Sequence, residues 1–298
     1  MSAPFVTTLS LESQKRLKQT LEKKNFVFSY PQYTIFQAKS PTVSCTLYSS
    51  GKLVVQGKGS QEFIEFVLEP EVLHVISSHT LEQSLRPRIG VDESGKGDFF
   101  GPLCIAGVYA PDKRILQELY KTKIQDSKTL RDTTILSLAK TIRSLCTYDV
   151  MTLYPEKYNE LYGKFRNLNA LLAWGHATVI DNLAPRPAQE VFAISDQFAS
   201  SEQLLLEALK KKNSEILLIQ KTKAEADIVV AAASILAREA FITSMKKLEA
   251  LYKVQLPKGV SVRVLETGKH IVHSYGKEAL RKLCKMHFKT YAEVCGSH

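Results

Sequence analysis

Residues 89–102 read Ile-Gly-Val-Asp-Glu-Ser-Gly-Lys-Gly-Asp-Phe-Phe-Gly-Pro, and few folds accommodate such a run. An apolar stretch ends on two adjacent carboxylates, Asp92 and Glu93. Gly95, Gly97 and Gly101 follow within nine residues, with Lys96 between the first two. A second apolar stretch, Leu103 to Tyr109, comes directly after. The pattern predicts a buried strand, a glycine-rich turn and a second strand. Carboxylates at a strand end, beside backbone that a ligand can approach closely, suit metal-assisted chemistry.

Gly90 to Lys96 also satisfies G-x-x-x-x-G-K, the pattern of a phosphate-cradling loop. That loop needs a Ser or Thr next, whose hydroxyl meets the magnesium ion. Here the next residue is Gly97. Two carboxylates inside the loop would also repel phosphate unless metal ions intervened. The bland alternative is a surface turn with a solvated lysine. Other carboxylates in similar positions weigh against it. Asp196 ends the apolar run Val191 to Ser195, Asp126-Ser127-Lys128 precedes a helical pattern, and Glu225 and Asp227 open a helix rich in alanine.

Around this segment the chain falls into parts. Residues 1–75 predict a small α+β unit: a helix capped by Ser10, strands near 26–28, 33–37, 43–48 and 52–56, then a helix from Ser60. Residues 76–87 have linker chemistry. Residues 88–298 alternate strand and helix patterns, which argues for a mixed sheet flanked by helices. Trp174 and the apolar residues around it read as helix core. His270 and His273 lie three apart but lack a nearby third ligand, so a zinc site is not expected.

Charge narrows the partners. The 298 residues carry 40 basic and 30 acidic side chains, a formal net charge of +10. Residues 241–298 hold 11 basic and 4 acidic side chains, whereas residues 81–240, with every candidate carboxylate, are nearly balanced. A folded chain of this charge favours anionic partners, nucleic acid first. The five dispersed cysteines form no CxxC pair and read as core thiols of a reducing compartment. With no 18-residue apolar run and no basic leader before an apolar stretch, a cytoplasmic location without a membrane span is the expectation.

The segment Ile89 to Leu103, with Asp-Glu-Ser-Gly-Lys-Gly-Asp-Phe-Phe-Gly-Pro at its centre, resembles the first motif of the type 2 ribonuclease H family. The lysine between the glycines is similar to the ribonuclease HIII branch, where ribonuclease HII usually carries arginine. Asp126-Ser127-Lys128 and Ala231-Ala232-Ala233-Ser234-Ile235-Leu236-Ala237-Arg238 look like later family motifs, in family order. The N-terminal unit resembles the domain appended in that branch, which is similar to the TATA-binding-protein fold.

The resemblance implies a ribonuclease H-like sheet and endonucleolytic cleavage of the RNA strand of an RNA–DNA hybrid, leaving 5′-phosphate and 3′-hydroxyl ends. It implies four carboxylates holding Mg²⁺ or Mn²⁺, two ions per site. Asp92 and Glu93 match the first two, with Asp92 expected to bridge the ions, and Asp196 matches the third. Glu225 is the expected fourth, with Asp227 its competitor. Gly95, Lys96 and Gly97 are expected to meet the ribose 2′-hydroxyl that DNA lacks, and Lys128 a phosphate. Asp98 and Asp126 are expected to be structural, and Phe99 and Phe100 to be core or cleft wall. No membrane or protein partner is implied. The competing readings are a non-catalytic nucleic-acid-binding protein and a DNA-directed nuclease of the same fold.

Overall fold

The computed structural model describes residues 4–73, 86–122, 124, 130–185, 191–196, 203–212, 214, 216–221 and 224–296. The chain divides into two compact units, Met1–Leu85 and Arg86–His298. Among the described residues each unit holds one five-stranded sheet.

In the first unit the elements run β1 (Phe5–Thr8), α1 (Leu11–Lys23), β2 (Val27–Ser29), β3 (Thr34–Lys39), β4 (Ser44–Tyr48), β5 (Lys52–Gln56) and α2, which starts at Ser60–Phe63 and widens to a π-type helix over Ile64–Leu73. The antiparallel sheet has the order β1-β5-β4-β3-β2. Ser10 caps α1 by accepting from the Ser13 amide at 3.2 Å. One helix face, Leu17 and Leu21, packs with Phe36, Ala38, Cys45, Leu47, Leu53 and Val55 on one sheet face. The other face leaves Tyr33, Ile35 and Tyr48 exposed. The short strand β1 has no counterpart in the sequence pattern, which at four residues is too brief to show alternation.

The second unit runs β6 (Arg88–Ser94), β7 (Leu103–Ala110), α3 (Lys113–Lys121), α4 (Asp132–Leu145), β8 (Thr147–Leu153), α5 (Pro155–Phe165), α6 (Leu168–Leu183), β9 (Phe192–Asp196), α7 (Gln203–Lys210), β10 (Leu217–Lys221), α8 (Ile228–Tyr252), α9 (Val262–Arg281) and α10 (Lys289–Cys295). Its sheet has the order β10-β9-β6-β7-β8. β6 pairs parallel with β9 and antiparallel with β7, so the sheet is mixed, as expected.

Strand periodicity sorts β6 onto two faces. Ile89 and Val91 enter the core formed with α6 residues such as Leu171, Leu172 and Val179. Gly90 faces the other way: a Cβ there would collide with the Val229–Val230 backbone, so glycine lets α8 lie close against the strand. That helix is long and apolar, but most of it is buried in the unit, as a core helix is. The expectation of no membrane span thus meets a helix that passes on length and composition yet spends its apolar surface on the sheet. The helical pattern around Trp174 is α6, whereas α5 has no counterpart in the sequence reading. α5 begins with Pro155 at its first position, a start signal that pattern-reading overlooked.

Candidate active site

The same alternation that buries Ile89 and Val91 decides where the carboxylates go. Asp92 follows Val91 and so shares a face with Gly90, toward α8. Its carboxylate accepts from the Ser234 side chain there and from the Glu93 amide at 2.8 Å. β9 runs beside β6 with Val91 opposite Ser195, which brings Asp196, the next residue, level with Asp92 at the same sheet end. Asp196 accepts from the Ala224 amide at 3.2 Å. Glu225 is the next residue along, in a short 3₁₀ turn over Ala224–Ala226, and is half-buried. Three of the four expected carboxylates are therefore gathered at one end of the β6–β9 pair.

Glu93 lies on the opposite face, toward α6. Its Oε2 sits 3.0 Å from Nε2 of His176, a fully buried residue of α6, and its Oε1 sits 3.4 Å from Nζ of Lys96. Burial alone would raise the Glu93 carboxyl. His176 and Lys96 outweigh it and hold the group below its ordinary value. Asp92 has weaker help. Burial and the neighbouring Glu93 charge push its carboxyl up to about 7. Among the described residues no group of three or more His, Cys, Asp or Glu side chains is arranged to hold a metal ion as it stands. The donor chemistry does fit a hard divalent cation, which takes oxygen ligands and makes do with one or two carboxylates plus water and phosphate.

Asp227 has other employment. It caps α8 by accepting from the Val229 amide at 2.9 Å. Its Oδ2 lies 2.9 Å from Nε of Arg88, which is 1% exposed, an ion pair by distance more than by hydrogen-bond alignment. Arg88 is at the start of β6, four residues before Asp92, and four strand residues span about 13 Å. Of the two competitors for the fourth acid, Glu225 is the one placed beside Asp196.

The turn after β6 is rigidly held. Gly95 has φ +87° and its missing Cβ would strike the Pro102 carbonyl and the Phe241 ring, so glycine there serves the fold. Gly97 is different: a Cβ would meet nothing within 4 Å. Of the two glycines, only Gly97 borders open space. Asp98 accepts from the Gly259 amide at 2.6 Å. Phe99 and Phe100 are fully buried. Lys285, also fully buried, donates to the carbonyls of Asp98 and Gly101, both at 2.8 Å. Desolvation depresses its ammonium to about 8. The Gly90–Lys96 stretch is mostly strand, which rules out the phosphate loop that its spacing mimics. Lys128, with Asp126 and Ser127, lies outside the described residues.

Sequence reasoning missed His176 and Lys285. His176 sits among apolar residues of α6 and resembles core filler. The available signal was that a polar group inside an apolar helix must find a buried partner. Lys285 had no such signal, since its partners are more than 180 residues away.

Comparisons with known proteins agree with this fold. Residues 89–291 match the family model for ribonuclease HII, and residues 4–77 match a domain of unknown function. The chain is 70% identical over 297 residues to a ribonuclease HIII of Chlamydia felis, covering 100% of this chain and 99% of the relative. A ribonuclease HIII of Chlamydia pneumoniae is 65% identical over 295 residues, covering 99% of each. Among solved structures, Bst-RNase HIII in complex with Mn²⁺ superposes with a TM-score of 0.68 at 25% identity, covering 99% of this chain and 98% of that one. Aquifex aeolicus RNase H3 gives 0.57 at 26%, covering 95% and 99%.

Proposed function

The chain belongs to the ribonuclease HII family, the type 2 ribonucleases H, and within it to ribonuclease HIII, and from that premise we propose that it cleaves the RNA strand of an RNA–DNA hybrid at the carboxylate end of β6 and β9. The observation that carries this reading is the placement of Asp92 and Asp196 at matching positions on adjoining strands, with Glu225 beside Asp196. A non-catalytic binder gains nothing from carboxylates facing phosphate.

Asp92, Glu93, Asp196 and Glu225 would hold the divalent cation, Mg²⁺ or Mn²⁺, with two ions per site. A solved relative is described in complex with Mn²⁺. When bound, such ions activate water and stabilise the leaving 3′-oxygen, which gives a 5′-phosphate and a 3′-hydroxyl. The chain's own residues do the rest. Asp92 must lose its proton to act as a ligand, so its raised pKa makes cation loading compete with protons. Gly97 leaves room for a ribose to reach the backbone, where N–H and C=O groups can read the 2′-hydroxyl. Lys96, beside Glu93, brings a positive charge to the edge of the site for phosphate, and Lys128 is proposed to add another.

The first unit, taken as residues 1–75 joined by a 76–87 linker to the catalytic residues 88–298, is proposed to grip the hybrid. Its exposed sheet face carries an open depression of about 470 Å³ lined by Tyr33, Tyr48, Ser49, Ser50, Lys52 and Val54. Aromatic rings beside a lysine suit stacking and phosphate contact. All five cysteines are free thiols, in keeping with a cytoplasmic setting.

A cleavage assay on end-labelled hybrid, duplex DNA and duplex RNA tests the proposal. Cutting of the hybrid's RNA strand, dependent on Mg²⁺ or Mn²⁺ and abolished by chelator, is expected. Equal cutting of duplex DNA would favour a DNA-directed nuclease, and binding without cutting a passive binder.

A further inference from the structure

We infer that His176 is the positioning residue for Glu93: it anchors one carboxylate oxygen from the α6 side so that the other is presented at the sheet end. The inference rests on the reading of Glu93 as a cation-holding carboxylate and deepens it.

The geometry is specific. Asp92 and Asp196 reach the sheet end from the α8 face, but Glu93 starts on the α6 face and must be steered there. His176 sits on α6 with no exposed surface. Its Nε2 is 3.0 Å from Glu93 Oε2, and its Nδ1 is 2.9 Å from Ser195 Oγ, also fully buried. Ser195 precedes Asp196, and its hydroxyl lies 3.1 Å from the Asp196 carbonyl. One imidazole thus ties together the two strands that carry three of the four proposed ligands.

Proton counting fixes the roles. An ionised Glu93 only accepts, so Nε2 must carry a hydrogen. In the neutral ring, Ser195 donates to Nδ1. In the charged ring, Nδ1–H donates to Ser195 Oγ and the hydroxyl turns to the Asp196 carbonyl. Both states donate to Glu93 Oε2, so the positioning does not depend on the charge of the ring. Oε1, 3.4 Å from Lys96 Nζ, has a lone pair remaining that a cation would take. Groups that orient metal ligands in this way typically alter metal affinity or activity by about 10–100-fold when removed.

The test uses full-length protein and Mn²⁺ alone, read by electron paramagnetic resonance, with hybrid kinetics alongside. His176→Leu fills the space without a donor and should raise the Mn²⁺ Kd by about 10–100-fold. It should also lower kcat at limiting metal while leaving KM for hybrid near wild type. His176→Gln can still place an N–H near Glu93 and should recover most of the affinity. Ser195→Ala keeps the imidazole but removes its far anchor, should raise Kd a few-fold, and carries the test if the leucine variant fails to fold. Wild-type Mn²⁺ affinity in the folded leucine variant, or in Ser195→Ala where leucine does not fold, overturns the inference. So does a glutamine variant no better than leucine. Glu93→Gln separates the two levels. If it keeps Mn²⁺ affinity and cleavage, the reading of Glu93 fails. If it loses both while His176→Leu does not, only the positioning role fails.

Discussion

The two ends of strand β6 treat buried charge in opposite ways. At its start, Arg88 is sealed from solvent and matched by Asp227, which also caps α8. Four residues on, Asp92 and Glu93 sit side by side, and burial together with the neighbouring Glu93 charge raises Asp92 to about 7. The first end is electrostatically closed and serves stability. The second is open, with a deficit that a cation would fill. Asp227 and Asp92 therefore do different work: Asp227 already pairs with a buried guanidinium, whereas burial and a neighbouring carboxylate raise Asp92.

Breaking the open end should have the larger effect on chemistry. Asp92→Asn is expected to lower cleavage by at least about a thousandfold, because bound metal supplies several kcal/mol of transition-state stabilisation and 1.36 kcal/mol is tenfold in rate. Hybrid affinity in a filter-binding assay should be retained. Residual turnover near wild type would make the two ends alike.

Breaking the closed end should instead cost stability. Arg88→Met strands the Asp227 carboxylate and should destabilise the catalytic unit by about 3–5 kcal/mol in urea unfolding. Turnover per folded molecule should stay close to wild type. A folded Arg88→Met protein without activity would contradict the division.

A smaller effect sharpens the contrast. Asp92's folded pKa lies above its unfolded value, so the metal-free native state holds a proton that the unfolded chain has released between about pH 4 and pH 7. Stability from this group is present below that window and lost as pH rises through 7. In chelator at pH 8, Asp92→Asn should therefore be more stable than wild type. Three pKa units set a ceiling near 4 kcal/mol, which partial exposure of the carboxyl reduces to about 1–3 kcal/mol. The gain should shrink toward zero near pH 4, and saturating Mg²⁺ should reverse it.

The open end was legible in the sequence and the closed end was not. Asp92, Glu93 and the glycines form one contiguous motif, and the strand–helix alternation around it predicts a mixed sheet without further input. Spacing left Glu225 and Asp227 open as the fourth acid, and the Arg88–Asp227 pairing that bears on the choice spans 139 positions of the chain. His176 and Ser195 escaped for the same reason. Their partners are joined by sheet register, which brings residues 93, 176 and 195 together and leaves no local trace. The fold's missed elements were of another kind: β1 is too short for periodicity, and α5 was announced by Pro155 yet went unread.

The most direct test is a Mn²⁺ titration of metal-free full-length protein, comparing wild type with Asp92→Asn and Asp227→Asn. The account predicts that Asp92→Asn loses the site seen in wild type, while folded Asp227→Asn binds Mn²⁺ with wild-type affinity. Loss of binding in Asp227→Asn with retention in Asp92→Asn would contradict it.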